Sequence, residues 1–410
     1  MGTELLDSKV NTHTNLLSRK LSPLGLQLSC AIIAADDMDC LCHAMEKSLK
    51  RSDLVIVTGG LGPTFDDITR EAASAVTGRR LEFNKNVEKD LLGRYSKIGG
   101  SRLRSLSRQA MILKGARVLT NNKGTAPGEF LELQKHMSGS NAKVLVILPG
   151  PEAEMENTLE KALPLIKKHF KCPSLSTTVF KMVGVMEAEA EEKMKPLLKK
   201  LGSAGASVTI LAYPYEVHLH ITAAKTRAKK IFRSAGQALR KTFMENYLGE
   251  GDITLESAVG KLLTQRKMTL ACAESCTGGL ISERITRVSG SSRYFLEGAV
   301  TYSYQSKIRL LGVRRHTLIE YGAVSRETAR EMADGMIRRA GADMAISVSG
   351  ICGPTGATPT KPVGTARFGL AIKGMPTKAI GVKFSGDRTM LKTKFSSFAL
   401  DLVRKYLQRK

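Results

Sequence analysis

The sequence predicts an α/β chain in three parts: an α/β segment over residues 1–170, a small α+β module over 171–248 and a second α/β segment over 249–410. Three observations lead there. At the front and the rear, short apolar runs precede glycine loops and then helical apolar spacing, the order of strand, loop and helix in a doubly wound parallel sheet. Between them, alternation of apolar and polar residues replaces continuous apolar runs, as in strands with one solvated face. The 410 residues also exceed what one ordinary hydrophobic core organises.

In the front segment, residues 26–34 and 54–57 are apolar runs of strand length, 58–64 (TGGLGPT) form a loop, and 68–76 a helix. Residues 116–120 and 143–148 read as further strands. A helix over 151–170 opens on Pro151, whose missing N–H would have no partner there anyway. It sets Met155, Leu159, Leu163 and Ile166 along one side, with Pro164 as a place for a kink. The middle module gives a helix over 187–201, strands over 207–211 and 217–221, and a basic helix over 224–243. The rear segment gives helices over 255–267, 278–288 and 326–340, and strands over 269–273, 299–303, 344–349 and 364–372.

Lys+Arg 63 against Asp+Glu 38 leaves a formal charge of +25, the first feature expected of a nucleic-acid binder. The basic residues are nevertheless dispersed, and with aromatics at 5% and no Trp a stacking platform for single strands is poorly supplied. A solvated basic surface is the preferred reading. No apolar run approaches the roughly 20 residues of a membrane span, and the first twenty residues lack a signal-like apolar block, so the expected location is the cytoplasm. Seven cysteines at scattered positions fit reduced thiols, read as small buried hydrophobes. His218 and His220 share one strand face and could ligate a metal, but a third partner is missing.

Three polar sets in the rear segment carry chemistry. Residues 273–280 (AESCTGGL) lie between a strand and a helix, where Gly278 and Gly279 permit a tight turn with exposed amides at a helix start. Ser275 stands where a nucleophile would serve, although Ser275 or Thr277 as a helix cap explains the stretch equally well. Tyr302 ends the next strand and Lys307 opens a helix, so either could relieve the serine of its proton once burial lowers the lysine. Packing of Tyr302 and solvation of Lys307 is the alternative. The loop at 349–358 (SGICGPTGAT) could wrap a phosphate with Gly350, Gly353, Thr355 and Gly356, or simply turn at the surface; it lacks the Gly-Lys-Ser/Thr of a P-loop.

Residues 273–279, 290–295 (GSSRYF), Tyr302 with 307–312 (KIRLLG), 322–325 (GAVS), 350–358, 362–365 (PVGT) and 384–388 (FSGDR) together resemble the C-terminal domain of the CinA family, the nicotinamide-nucleotide amidase. The stretches 2–6 (GTELL), Asn11 with Thr12, 58–67, 124–128 (GTAPG) and 148–151 (LPGP) resemble that family's molybdopterin-binding-like N-terminal domain. The resemblance implies hydrolysis of nicotinamide mononucleotide to nicotinate mononucleotide and ammonia, without metal or organic cofactor. In it Ser275 attacks the carboxamide, Tyr302 and Lys307 move the proton, and the amides around Cys276 and Thr277 receive the oxyanion. Gly278, Gly279, the loop at 350–358, Thr365 and Arg388 are the substrate candidates. The chain departs from the family at Ser349, Cys352, Thr355 and Ala357, where the commoner residues are Thr, Ala, Gly or Asp, and Gly, and at Tyr304 in place of Asn.

For the front domain the resemblance implies a metal-dependent ADP-ribose pyrophosphatase site built from Glu4, Thr58, Gly59, Gly60, Gly62, Thr64, Gly124 and Thr125, with Asp66 and Asp67 holding a divalent metal. The plain reading of the two aspartates is a cap for the following helix. Relatives carry an apolar strand ahead of the GTELL segment, so the expectation is that the front domain lacks its first strand because the reading frame was opened late. A homodimer is implied as well. The readings of other classes are a nucleic-acid-associated or competence-related binding protein, with the basic helix at 224–243 as its contact, and a molybdopterin-binding protein.

Overall fold

The computed structural model describes residues 6, 10–95, 108–133 and 143–409, and the chain divides into two compact units, Met1–Leu175 and Ser176–Lys410. Glu4 and most of the GTELL segment lie outside the described residues.

In the first unit, strands β1 (Leu54–Thr58), β4 (Arg117–Leu119), β5 (Gly128–Leu133) and β6 (Lys143–Leu148) make one sheet in the order β1-β6-β5-β4, and β2 (Leu81–Phe83) pairs β3 (Met111–Leu113) separately. Helices α1 (His13–Leu21), α2 (Met38–Arg51), α3 (Thr69–Thr77), α4 (Lys85–Tyr95) and α5 (Glu152–His169) surround them. The continuous run KVLVIL is buried after its first residue because both faces of β6 are covered. Helix α5 buries Met155, Leu159, Ala162 and Ile166, carries Glu152 and Glu154 in its first turn and basic residues in its last, and continues through Pro164. Pro151 is its N-cap residue rather than its first helical one.

Two expectations fail in this unit. Residues 26–34 form no strand: a cavity of about 390 Å³ lies between them and β1, so their backbone has no ladder to join. The sheet is mixed, with β1 and β6 parallel but β5 antiparallel to both β6 and β4. The connections from β4 to β5 and from β5 to β6 are too short for the crossover that parallel pairing requires.

A buried ion pair ties this unit together. Arg70 Nε donates to Glu129 Oε1 at 2.6 Å and another guanidinium nitrogen to the Pro127 carbonyl at 3.0 Å, while Glu129 Oε2 accepts the Leu113 amide at 2.9 Å. Helix α3 is thereby fixed to β5 and β3.

The second unit holds two sheets. The first has the order β10-β7-β9-β8, from β7 (Leu175–Val183), β8 (Ser207–Tyr213), β9 (Glu216–Ala224) and β10 (Tyr247–Glu250), with α6 (Glu187–Ser203) and α7 (Lys225–Phe243). Strand β9 buries every second residue, Val217, Leu219, Ile221 and Ala223, in a core with Met194, Leu239 and Phe243. β7 and β10 were not foreseen. His218 bonds Glu216 at 2.8 Å, and no cluster of three metal-ligating side chains occurs among the described residues.

The second sheet has the order β12-β11-β13-β14-β15, from β11 (Leu270–Glu274), β12 (Phe295–Val300), β13 (Met344–Gly350), β14 (Thr365–Ile372) and β15 (Met375–Lys383). β11 runs parallel to both neighbours, and β13, β14 and β15 are antiparallel in sequence. Helices α8 (Leu255–Arg266), α9 (Leu280–Thr286) and α13 (Arg388–Arg409) share a core on one face; α10 (Tyr304–Leu311), α11 (Arg315–Glu320) and α12 (Arg326–Ala340) form the other. Every residue of β11 is buried as a result. β15, α11 and α13 were not foreseen. Cysteine burial divides: Cys272, Cys276 and Cys352 are buried, but Cys30 and Cys40 are exposed and Cys42 and Cys172 partly so, because the latter four sit on connections and a helix surface of the first unit.

Arg70→Ala is expected to leave Glu129 charged and unpaired in the core, destabilising the first unit by about 3–5 kcal/mol, read as a lower urea midpoint.

Candidate active site

The strands β11 and β12 run parallel, so their C-terminal ends, the side on which doubly wound sheets bind ligands, lie next to each other. The turn after β11 is set by Glu274. Its carboxylate is fully buried and accepts the amides of Gly279 at 3.0 Å, Ile281 at 3.1 Å and Ser282 at 2.9 Å, and the Ser282 hydroxyl at 2.7 Å. These are the amides a helix start leaves without partners, so Glu274 answers both its own burial and the end of α9. Gly278 and Gly279 take φ of 63° and 95°, which lets the chain double back within reach of that carboxylate. The helix therefore needs no cap from Ser275 or Thr277. The amides of Cys276 and Thr277 donate to no acceptor among the described residues, and the buried Thr277 hydroxyl likewise has no partner.

Lys307 meets this turn from α10. Ser303 caps that helix by accepting the Ser306 amide, and Lys307, in its fourth position, is fully buried. Its Nζ lies 3.1 Å from Ser275 Oγ, 2.7 Å from the Thr301 carbonyl and 3.2 Å from the Tyr302 carbonyl. Burial pulls the lysine down to about 8, opposed by the neighbouring Cys276. The neutral amine has two N–H donors and one lone pair. Two carbonyls take the donors, and the lone pair is left for the hydroxyl of Ser275.

Tyr302 is placed differently from the expectation. Its side chain is 63% exposed and its hydroxyl meets Arg388 at 3.5 Å, so what it gives Lys307 is a backbone carbonyl, because β12 ends at Val300 and not at 303. Arg388 also donates to the Gly353 carbonyl at 2.8 Å, linking the start of α13 to the glycine loop. In that loop Ile351 is pinned by Thr365, whose carbonyl accepts its amide at 2.9 Å. Gly350 remains in the β13–β14 ladder, Gly353 is buried, and Thr355 and Gly356 are exposed. Lys392, one turn into α13, reaches Gly278: its Nζ lies 3.6 Å from where a Cβ on that glycine would stand. Glu274 and Lys392 were missed by sequence reasoning. A Glu before Ser at a strand end was a readable signal for the first; none marked the second.

The front candidates separate into three places. Thr58 Oγ1 contacts His13 at 3.0 Å, the Gly59 carbonyl accepts from Thr69 Oγ1 at 2.9 Å, and the Gly60 carbonyl accepts the Thr69 amide. Asp67 accepts the amide and hydroxyl of Thr64 and packs against Gly62, so its carboxylate closes the turn and does not cap α3. Asp66 is exposed, its carboxyl lowered by Thr64. Gly124 donates to Asn121, beside Glu154, and Thr125 lines a small cavity with Asn121 and Arg94. The two aspartates thus do not form a metal set among the described residues.

Residues 252–407 match the family described as "CinA C-terminal domain" and residues 1–168 that described as "Probable molybdopterin binding domain". A CinA-like protein of Kosmotoga olearia is 39% identical over 416 residues, covering 99% of this chain and 97% of its own. The chain belongs to the CinA family. A competence-damage inducible protein of Caldicellulosiruptor saccharolyticus is also 39% identical, over 411 residues and 99% of this chain. Among solved structures, a CinA superfamily protein from Klebsiella pneumoniae is 32% identical, covering 38% of this chain and 97% of its own, with a TM-score of 0.37. No helix among the described residues of this CinA-family chain is long and apolar enough to cross a membrane.

Glu274→Gln replaces an acceptor by a donor amid four donors. It is expected to lower stability by about 2 kcal/mol or more and to speed hydrogen exchange at the amides of Ile281 and Ser282 relative to the strands.

Proposed function

We propose that this chain hydrolyses the carboxamide of nicotinamide mononucleotide, releasing nicotinate mononucleotide and ammonia. The observation that carries this reading is the buried Lys307 amine 3.1 Å from the Ser275 hydroxyl, beside the amides of Cys276 and Thr277, which donate to no other residue among those described. Ser275 Oγ attacks the carboxamide carbon while its proton passes to Lys307 Nζ. The oxyanion forms within reach of the Cys276 and Thr277 amides. Lys307 then gives the proton to the departing nitrogen, and ammonia leaves an acyl-serine. Water, deprotonated by the same amine, attacks the ester and restores Ser275.

The choice of nucleotide rests on the family resemblance and on charge. Arg388 and Lys392 flank the turn and the glycine loop, so a phosphate there meets two cations together with the exposed loop around Thr355 and Gly356. Tyr302, exposed beside Arg388, is read as a contact for the substrate rather than for the serine.

Purified protein is expected to release ammonia from nicotinamide mononucleotide, with Ser275→Ala lowering kcat/KM on the order of a thousandfold or more. Undiminished release by that variant would remove serine from the mechanism. Since the base is the neutral amine, the fraction competent to react grows as pH rises, so kcat/KM should climb to a plateau above pH about 8. Lys307→Arg, which stays charged, should lose that limb together with the activity.

A further inference from the structure

Cys276 follows the candidate nucleophile directly, and Cys352 stands in the glycine loop that faces it. Cys352 Sγ donates to the Cys276 carbonyl at 3.9 Å, so the two cysteines are in contact, and each thiol shifts the titration of the other. The two side chains are 8% and 5% exposed, and Ser275 beside Cys276 is 8% exposed. Both belong to loops rather than strands, and each loop is anchored at one end, by Glu274 on one side and by the bonds of Ile351 to Thr365 and Gly364 on the other. The pair can therefore close by a small movement without breaking the sheet.

We propose that Cys276 and Cys352 are an oxidation site, joined by peroxides into an intramolecular disulfide that displaces the turn carrying Ser275 and reopened by thiol reductants. The Cys352 thiol is lowered by the neighbouring Cys276 and by the positive charge of Arg388, which donates to the adjacent Gly353 carbonyl at 2.8 Å, and of Lys392, whereas Cys276 is raised by Cys352 and by burial, so Cys352 reacts first. Its thiolate attacks one peroxide oxygen; an S–O bond forms, the O–O bond breaks, and the departing hydroxide takes up a proton as water. The Cys276 sulfur then attacks the Cys352 sulfenic acid. The S–S bond forms, the S–O bond breaks, and hydroxide leaves as water with the Cys276 proton. Two thiols and one hydrogen peroxide yield one disulfide and two waters.

Shortening a thiol–thiol contact to a bond of about 2.05 Å pulls the turn at 275–279 toward the loop at 350–356. Ser275 and the Cys276 amide move with it, away from Lys307. This consequence for activity rests on the amidase reading; formation of the bond does not.

The test uses the reduced full chain, treated with hydrogen peroxide, alkylated, digested and mapped by mass spectrometry. A linked Cys276–Cys352 peptide that dithiothreitol abolishes is expected, with ammonia release falling on the order of a hundredfold and recovering on reduction. Cys352→Ala should form no such link and keep its starting activity through the peroxide treatment; Cys352→Ser should behave alike. Both cysteines remaining free to alkylate after oxidation, links formed only between copies of the chain, or equal inactivation of wild type and Cys352→Ala would each overturn the proposal. A chain that forms the link but releases no ammonia when fully reduced would sink the amidase reading and leave the oxidation site standing.

Discussion

A carboxylate with no exposure to water is costly unless its charge is answered, and in the second unit the answer shapes the site. Glu274 is met by three amides and one hydroxyl at the start of α9. That capture fixes the helix, and with it the path of the four residues between Glu274 and Gly279. The backbone carbonyl of the same residue accepts the Thr301 amide at 2.7 Å, which sets the chain leaving β12. Thr301 and Tyr302 then present the carbonyls that hold Lys307. One residue thus positions both the serine turn and the cradle of Lys307.

The burial of Lys307 is the second constraint. An ammonium there carries a desolvation cost, and the three oxygen contacts of Nζ come without a carboxylate partner. The environment tolerates the charge but favours its loss, which is the condition for a lysine to act as a base near neutral pH. A carboxylate at this place would reverse the effect. The nearest buried one, Glu274, points its oxygens to the other side, into α9. The separation of these two charged groups, each given its own set of backbone dipoles, is what makes the chemistry available.

Much of the fold was readable because continuous apolar runs and glycine loops mark buried parallel strands, as with LACAE at β11 and KVLVIL at β6. Failures came where pairing decided the outcome. Residues 26–34 have the composition of a strand but face a cavity and not a neighbour, and β5 and β6 have the same composition whether parallel or antiparallel. In the site, Ser275 and Lys307 were readable as candidates. Lys392 was not, because it comes from a helix more than a hundred residues away and contributes through proximity to Gly278. Tyr302 was readable as a residue of the site but not in its position, since a strand ending three residues earlier than its pattern suggests turns the hydroxyl toward Arg388.

The sequence by itself determined the kinds of groups present: a serine in a turn between strand and helix, a lysine on the following helix, glycines that permit the turn, and the division into α/β and α+β parts. Local physics suffices for these, because apolar spacing and glycine conformational freedom act over a few residues. Only the tertiary structure decided that Ser275 does not cap the following helix, since that depends on Glu274 taking the helix amides. It also decided that Lys307 is buried, with its amine lowered to about 8, instead of solvated, and that Cys276 meets Cys352 across 76 positions of sequence. Burial, hydrogen-bond competition and contact are properties of packed neighbours, and a linear pattern does not contain them.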